Sequence, residues 1–268
     1  MKVLVIGAGN MGLAYAESIA KSEHLKKGDL LISDNAPAKT QELRKKSHFE
    51  VYDDIADCAP LADIIFIAVK PYHIEELFGK LKKHMVEDQI VISIMAGVTI
   101  KTIQDHLNIK KVVRAMPNLP AQVGKGLTSF TASDEVSRLE LSTVESLLDT
   151  TGRSVRLDSE NDIDASTGIS GSGPAYVFYF MQSMLEAALD MGFSDYDSKV
   201  LVSTTFEGAI ELFKRNKLTP EKWMDKVASE GGTTRAALDS MEDNNVKDLI
   251  KEAAYAAFNR AVELGKES

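Results

Sequence analysis

Gly7, Gly9 and Gly12 form G-x-G-x-x-G in the segment GAGNMG, directly after the apolar run KVLVI and at the start of a helical pattern. In that position the spacing has a mechanical reading. Gly7 permits a tight turn, Gly9 lets the backbone approach a pyrophosphate, and Gly12 lets helix and strand pack closely. Gly7, Ala8, Gly9, Asn10, Met11 and Gly12 then form a cradle in which a pyrophosphate meets helix N–H groups and the positive end of the helix dipole. The implied ligand is a dinucleotide. Asp34 follows about 20 residues beyond the last glycine, where an acid either meets the adenosine ribose hydroxyls or caps the next helix. Its charge opposes a 2′-phosphate and favours NADH over NADPH, while Asn35 and Lys39 offer donors nearby.

A second cluster lies in SEGGTTRAAL, residues 229 to 238. Ser229, Gly231, Gly232, Thr233 and Thr234 stand between a polar stretch and an apolar helical one. The glycines can end one helix while Thr233 caps the next. The same geometry aims backbone N–H groups at an anion, and glycine lets that anion come close. The two uses are compatible, and the segment is read as an anion cradle.

The elements that must position these groups are of two kinds. Strand candidates are residues 2–6, 29–33, 63–69, 89–95 and 111–116, with 154–158 as the last. Amphipathic stretches separate most of them; in 74–85, Ile74, Leu77, Phe78, Leu81 and Met85 follow the helical period. Apolar strands between helices predict a parallel sheet covered on both faces. AVKP (Ala68, Val69, Lys70, Pro71) and Ala96–Gly97–Val98 then lie at strand carboxyl ends, where ligands collect. Small residues there suit a nicotinamide ring lying against backbone. Lys70 is placed either to touch a ribose or phosphate or to stand as an exposed loop lysine.

After Asp158 no strand pattern remains, and helices are expected near 174–191, 196–214, 220–228, 234–241 and 246–265. The fold class is therefore α/β: a Rossmann-type dinucleotide-binding domain over 1–158, then an all-α substrate-binding and dimerisation domain over 159–268. The first of these helices begins PAYVFYFM, apolar around its circumference, so it needs cover on all sides. A second subunit supplying that cover is favoured over a central position in a monomeric bundle.

Composition excludes other classes. Thirty-one basic against 40 acidic residues give a net charge of −9 with no basic stripe, which speaks against nucleic acid and anionic membrane surfaces. The N-terminal segment lacks a signal-peptide pattern, and the apolar runs are strand-length. One cysteine, Cys58, permits no intrachain disulfide and no cysteine-rich metal site. No metal ligand set is assigned, and a cytoplasmic location is expected.

GISGSGPAYVF (168–178) together with VASEGGTTRAAL (227–238) resembles the C-terminal signature of pyrroline-5-carboxylate reductase. GAGNMG, AVKP, AGVTI and RAMPNLP precede these in the family's order, so the likeness spans essentially the whole chain. The resemblance implies reduction of L-1-pyrroline-5-carboxylate to L-proline with NADPH or NADH, the last step of proline biosynthesis. It implies a homodimer through interlocked helical domains, with higher assembly common. By motif, the N–H groups of Gly232, Thr233 and Thr234, beside Gly231, hold the substrate carboxylate. Ser229 adds a hydroxyl, and the Thr234 hydroxyl reaches the ring nitrogen. Glu160 falls on a family acid that approaches the cofactor. Asp53 and Asp54 lie near a family asparagine but at a different spacing and are not assigned. The chain departs from the family at Glu230 (usually proline), Leu119 (threonine) and Met95 (alanine), and it lacks an arginine near Asn35.

The chemistry agrees with that resemblance. Carbonyl reduction normally needs an acid to protonate oxygen as hydride arrives. A protonated cyclic imine is already an electron sink, and the helical half contains no histidine. In the related 3-hydroxyacid dehydrogenases, the helix after a G-x-x-G-x-G turn carries a lysine and, one turn on, an asparagine. Val177 and Met181 occupy those positions here, and an apolar pair cannot move that proton. Two readings remain beside the reductase: an imine reductase for another cyclic imino acid, and a non-catalytic NAD(P)H sensor.

Overall fold

Continuous apolar runs build the central strands of a sheet. The computed structural model describes residues 1–46 and 48–267. They divide into two compact units, one running up to Ser172 and including the residues from Ala256 onward, the other Gly173–Tyr255.

The first unit runs β1 (Val3–Ile6), α1 (Asn10–Lys21), β2 (Leu30–Ser33), α2 (Pro37–Arg44), β3 (Glu50–Tyr52), α3 (Ile55–Cys58), β4 (Ile64–Ile67), α4 (Ile74–Leu81), β5 (Ile90–Ser93), α5 (Ile100–Leu107), β6 (Val112–Pro117), β7 (Gly126–Ala132), α6 (Arg138–Leu148), β8 (Gly152–Arg156) and α7 (Glu160–Ser166). The strands form one sheet in the order β3-β2-β1-β4-β5-β6-β7-β8. Every neighbouring pair is parallel except β6 with β7. The chain order reverses between β1 and β4, which makes their carboxyl ends the switch point where α/β sheets bind ligands.

β1, β2, β4 and β5 are buried along their whole length because successive side chains enter two different cores. Val3, Val5, Ile64 and Phe66 face the layer containing Tyr15, Phe130 and Leu147. Leu4, Ile6, Ile65 and Ile67 face the layer containing Cys58, Phe78 and Leu107. Two strands escape the expectation. β3 has three residues, too few to show a pattern. β7, GLTSFTA, mixes hydroxyls with apolar residues, yet Thr128 and Ser129 are buried. Thr128 Oγ1 meets the Tyr15 hydroxyl at 2.7 Å, which satisfies both groups inside the core. That burial pushes the Tyr15 phenol up to about 12.

The second unit is helical: α8 (Gly173–Asp190), α9 (Asp195–Arg215), α10 (Pro220–Val227) and α11 (Thr233–Asp243), with α12 (Val246–Glu267) completing the set. These match the five expected helices closely. α12 passes out of this unit, and its residues from Ala256 onward pack within the first. The chain does not cover α8 by itself. Of its residues only Ala188 is buried, and Phe178 and Tyr179 are 58% and 76% exposed. Among the described residues no helix is long and apolar enough to cross a membrane.

The first compact unit extends beyond residue 158 to Ser172. The reason is side-chain chemistry that hydropathy does not display. Arg114 of β6, 3% exposed, pairs with Glu160 at 3.2 Å and with Asp164, and so ties α7 to the sheet.

Candidate functional site

The glycine-rich turn has the geometry that its spacing predicts. Gly7 sits at φ +97°, and a Cβ there would lie 2.8 Å from the Ala68 carbonyl oxygen. A Cβ on Gly12 would strike the Gly7 carbonyl oxygen and approach Ala68 Cβ to 2.9 Å. A side chain at either place would push β1 and β4 apart at the switch point. The small size of Ala68 is explained in the same way. Gly9 differs, because a Cβ there meets nothing within 4 Å. As residue Gly9 precedes α1, whose first N–H groups no side chain caps, it leaves an open cradle at a helix start. A dinucleotide pyrophosphate fits these residues.

Beyond the ends of β1, β2 and β4 lies a cavity of about 620 Å³ whose lining includes Gly7, Asp34, Asn35 and Val69. Asp53, Asp54, Ile55 and His73 line it too. Both aspartates already have partners. Asp53 pairs with Arg44 at 2.6 Å, which holds its carboxyl below the usual range, and Asp54 caps α3 through the Ala56 N–H at 2.9 Å. Asp34 points inward: Oδ2 accepts the Ala8 N–H at 2.7 Å and Oδ1 the Ala36 N–H at 2.9 Å. Asn35 and Lys70 are exposed.

The second strand-end segment faces a different neighbour. A Cβ on Gly97, at φ +77°, would come within 3.1 Å of Leu264 Cβ in α12. Its bare backbone therefore makes room for a helix. Ala96 and Gly97 line a cavity of about 270 Å³ with Arg114, Met116, Thr167 and Arg260. Glu160 Oε1 accepts both the Ile100 N–H, at 2.9 Å, and the Arg114 guanidinium. It thus fixes the helix start just after this segment.

Two segments far apart in sequence are fastened together here. Asn118 Nδ2 donates to the Ser170 carbonyl at 3.0 Å, and its Oδ1 accepts the Leu127 N–H at 2.8 Å. A Cβ on Gly171 would lie 3.1 Å from the Met116 methyl. RAMPNLP and GISGSG are therefore parts of one construction, in which Thr167–Gly171 form a π-helical turn. Within GISGSG, Gly171 is close-packed, whereas a Cβ on Gly173 would meet nothing within 4 Å.

In the second unit, Gly231 turns the chain at φ +68° and Gly232 is the N-cap of α11. No side chain caps that helix, so its leading N–H groups are presented at an exposed loop containing Ser229 and Thr233. Gly232 N–H donates to the Ser229 carbonyl at 3.0 Å, and a Cβ on Gly232 would crowd the Ser229 hydroxyl. Glu230 is exposed.

Comparison with known proteins bears on both halves. Residues 160–264 match the family model described as pyrroline-5-carboxylate reductase dimerisation, and residues 2–97 match that described as NADP oxidoreductase, coenzyme F420-dependent. The chain is 32% identical to the pyrroline-5-carboxylate reductase of Corynebacterium melassecola, over 98% of each chain. The chain belongs to the pyrroline-5-carboxylate reductase family. Among solved structures, the Coxiella burnetii member superposes with a TM-score of 0.91 at 30% identity, covering 98% of each chain. The Plasmodium falciparum pyrroline carboxylate reductase, solved with NADP bound, gives 0.89 at 30% identity over 99% of this chain and 98% of its own. This reductase family member thus carries family likeness through both units. Sequence reasoning missed three residues that organise its first unit: Arg114, Asn118 and Asp164. The Arg114–Glu160, Arg114–Asp164 and Asn118–Ser170 links span 46, 50 and 52 residues, so no local spacing could have found them.

Proposed function

We propose that this chain reduces L-1-pyrroline-5-carboxylate to L-proline with NADPH or NADH, the last step of proline biosynthesis. The observation that carries the reading is the presence, in a chain that matches family members over 98% of their length, of both an open glycine cradle at α1 and an uncapped helix start at α11. When bound, the dinucleotide supplies hydride; the chain's own residues bind and orient. Gly7 to Gly12 hold the pyrophosphate, with Asp34, Asn35, Ala68 to Pro71, Ala96 and Gly97 bordering the rest. Glu160 acts by fixing the segment that carries Ala96 and Gly97. The N–H groups of Gly232, Thr233 and Thr234 receive the substrate carboxylate, with Gly231 setting the turn. Ser229 adds a donor, and the Thr234 hydroxyl bonds the ring nitrogen.

The functional form is a homodimer, in which a second copy covers the apolar residues that α8 leaves exposed. Its place is the cytoplasm, a reading supported by a single, buried, unpaired cysteine. The test is consumption of NADPH and NADH by purified protein with pyrroline-5-carboxylate and with its six-membered homologue. Turnover favouring the five-membered ring is expected. Preference for the larger ring would reassign the substrate, and cofactor binding without turnover would make the chain a sensor.

A further inference from the structure

We propose that Asp34 makes this chain select NADH over NADPH, acting as a fixed charge built into the glycine-rich turn. The inference rests on the dinucleotide reading of the first unit. The Asp34 side chain is 6% exposed, and its two oxygens accept the Ala8 and Ala36 N–H groups at 2.7 and 2.9 Å. Swinging it aside for a phosphate would strip an N–H from the turn that holds the pyrophosphate, and unmet buried donors are costly. The acid is therefore fixed at the end of β2, where the adenosine ribose of a dinucleotide lies.

The surrounding cations are each already paired with an acid. Lys39 Nζ stands 3.5 Å from Asp34 Oδ2, and Arg44 is taken by Asp53 at 2.6 Å. Asp34, Asn35, Thr40, Gln41, Arg44 and Asp53 line one hollow there. Paired in this way, the two cations bring no net positive charge to receive a phosphate. A phosphate monoester brings roughly −1.5 to −2 of charge beside a carboxylate that cannot move. A ribose diol brings none. It also finds an acceptor: a carboxylate offers about four acceptor sites, of which Ala8, Ala36 and Lys39 engage three.

The test is equilibrium binding of NADH and of NADPH to the full-length protein, followed by cofactor fluorescence without substrate. NADH is expected to bind about tenfold or more tighter, the size of one modest charge interaction. Asp34→Ser is expected to bring the ratio towards unity. Asn35→Arg leaves the Asp34 hydrogen bonds in place and is expected to narrow the ratio as well, so the test survives if Asp34→Ser fails to fold. Equal affinities in the unaltered chain, or tighter NADPH binding, would overturn the proposal while leaving the dinucleotide site standing. A ratio unmoved by Asn35→Arg would overturn the charge argument. Binding of neither cofactor would remove the dinucleotide site, and the proposal with it.

Discussion

Glu160 accepts the backbone N–H of Ile100 at 2.9 Å, so the first residue of α7 holds the first residue of α5. The same oxygen takes Arg114, which is almost fully buried. Glu160→Ala is expected to lower the unfolding free energy by about 1–3 kcal/mol, because an N–H and part of a guanidinium lose their partner. Glu160→Gln keeps an acceptor and should lose less than half as much. Urea unfolding of both variants checks this. Equal losses would mean that the charge facing Arg114, and not the Ile100 hydrogen bond, carries the effect.

Gly9 and Gly12 separate ligand binding from folding. Gly12→Ala places a methyl against the Gly7 carbonyl, where only backbone could yield. It should fold poorly or not at all. Gly9→Ala enters open space, and its stability should change by less than about 1 kcal/mol, the range of a cap substitution. Cofactor affinity should nevertheless fall at least about tenfold as the methyl meets the pyrophosphate. Thermal melts with and without cofactor distinguish the cases; an unchanged affinity in Gly9→Ala would place the pyrophosphate elsewhere.

Thr234→Ala removes the hydroxyl assigned to the ring nitrogen. Turnover should fall by about tenfold or more, the scale of one lost hydrogen bond to a charged group, while cofactor binding stays nearly intact. Steady-state rates beside fluorescence titration give both numbers. Parallel loss of the two would reduce the loop to a structural turn.

Much of the fold is readable in the sequence because each central strand is a run of apolar residues that two cores must cover. β7 is not, since its hydroxyls read as surface until Tyr15 is seen to bond Thr128. The glycine turn is legible because Gly7 and Gly12 each answer a steric demand of their own. The direction of Asp34 is not legible, because an acid at that position serves a ribose or a backbone N–H equally well on paper. The joints at Arg114 and Asn118 are invisible, as each is made by residues with no sequential relation.

Cys58 and Tyr15 make stability pH-dependent. Burial pushes both groups up to about 12, from 9.0 for the thiol and 10.0 for the phenol. Each therefore ionises in the unfolded chain first. The folded state keeps its full stability below about pH 9 and loses it as pH rises towards 12. At pH 8 the thiol should resist alkylation in native protein and react on addition of denaturant. Rapid stoichiometric labelling of the native chain would contradict the burial. Cys58→Ala should flatten the first part of the alkaline decline in melting temperature.

The first unit is discontinuous in sequence: Leu264 of α12 fills the space that Gly97 leaves, while residues 173 to 255 intervene in the other unit. A ribosome adding roughly 5–20 residues per second needs several seconds to make that intervening stretch. During that interval the nascent nucleotide-binding half is exposed without its closing helix, and Gly97 faces solvent. Vectorial synthesis therefore cannot finish this half before starting the other. The first unit, begun earlier, is completed only after the second has been translated through Tyr255.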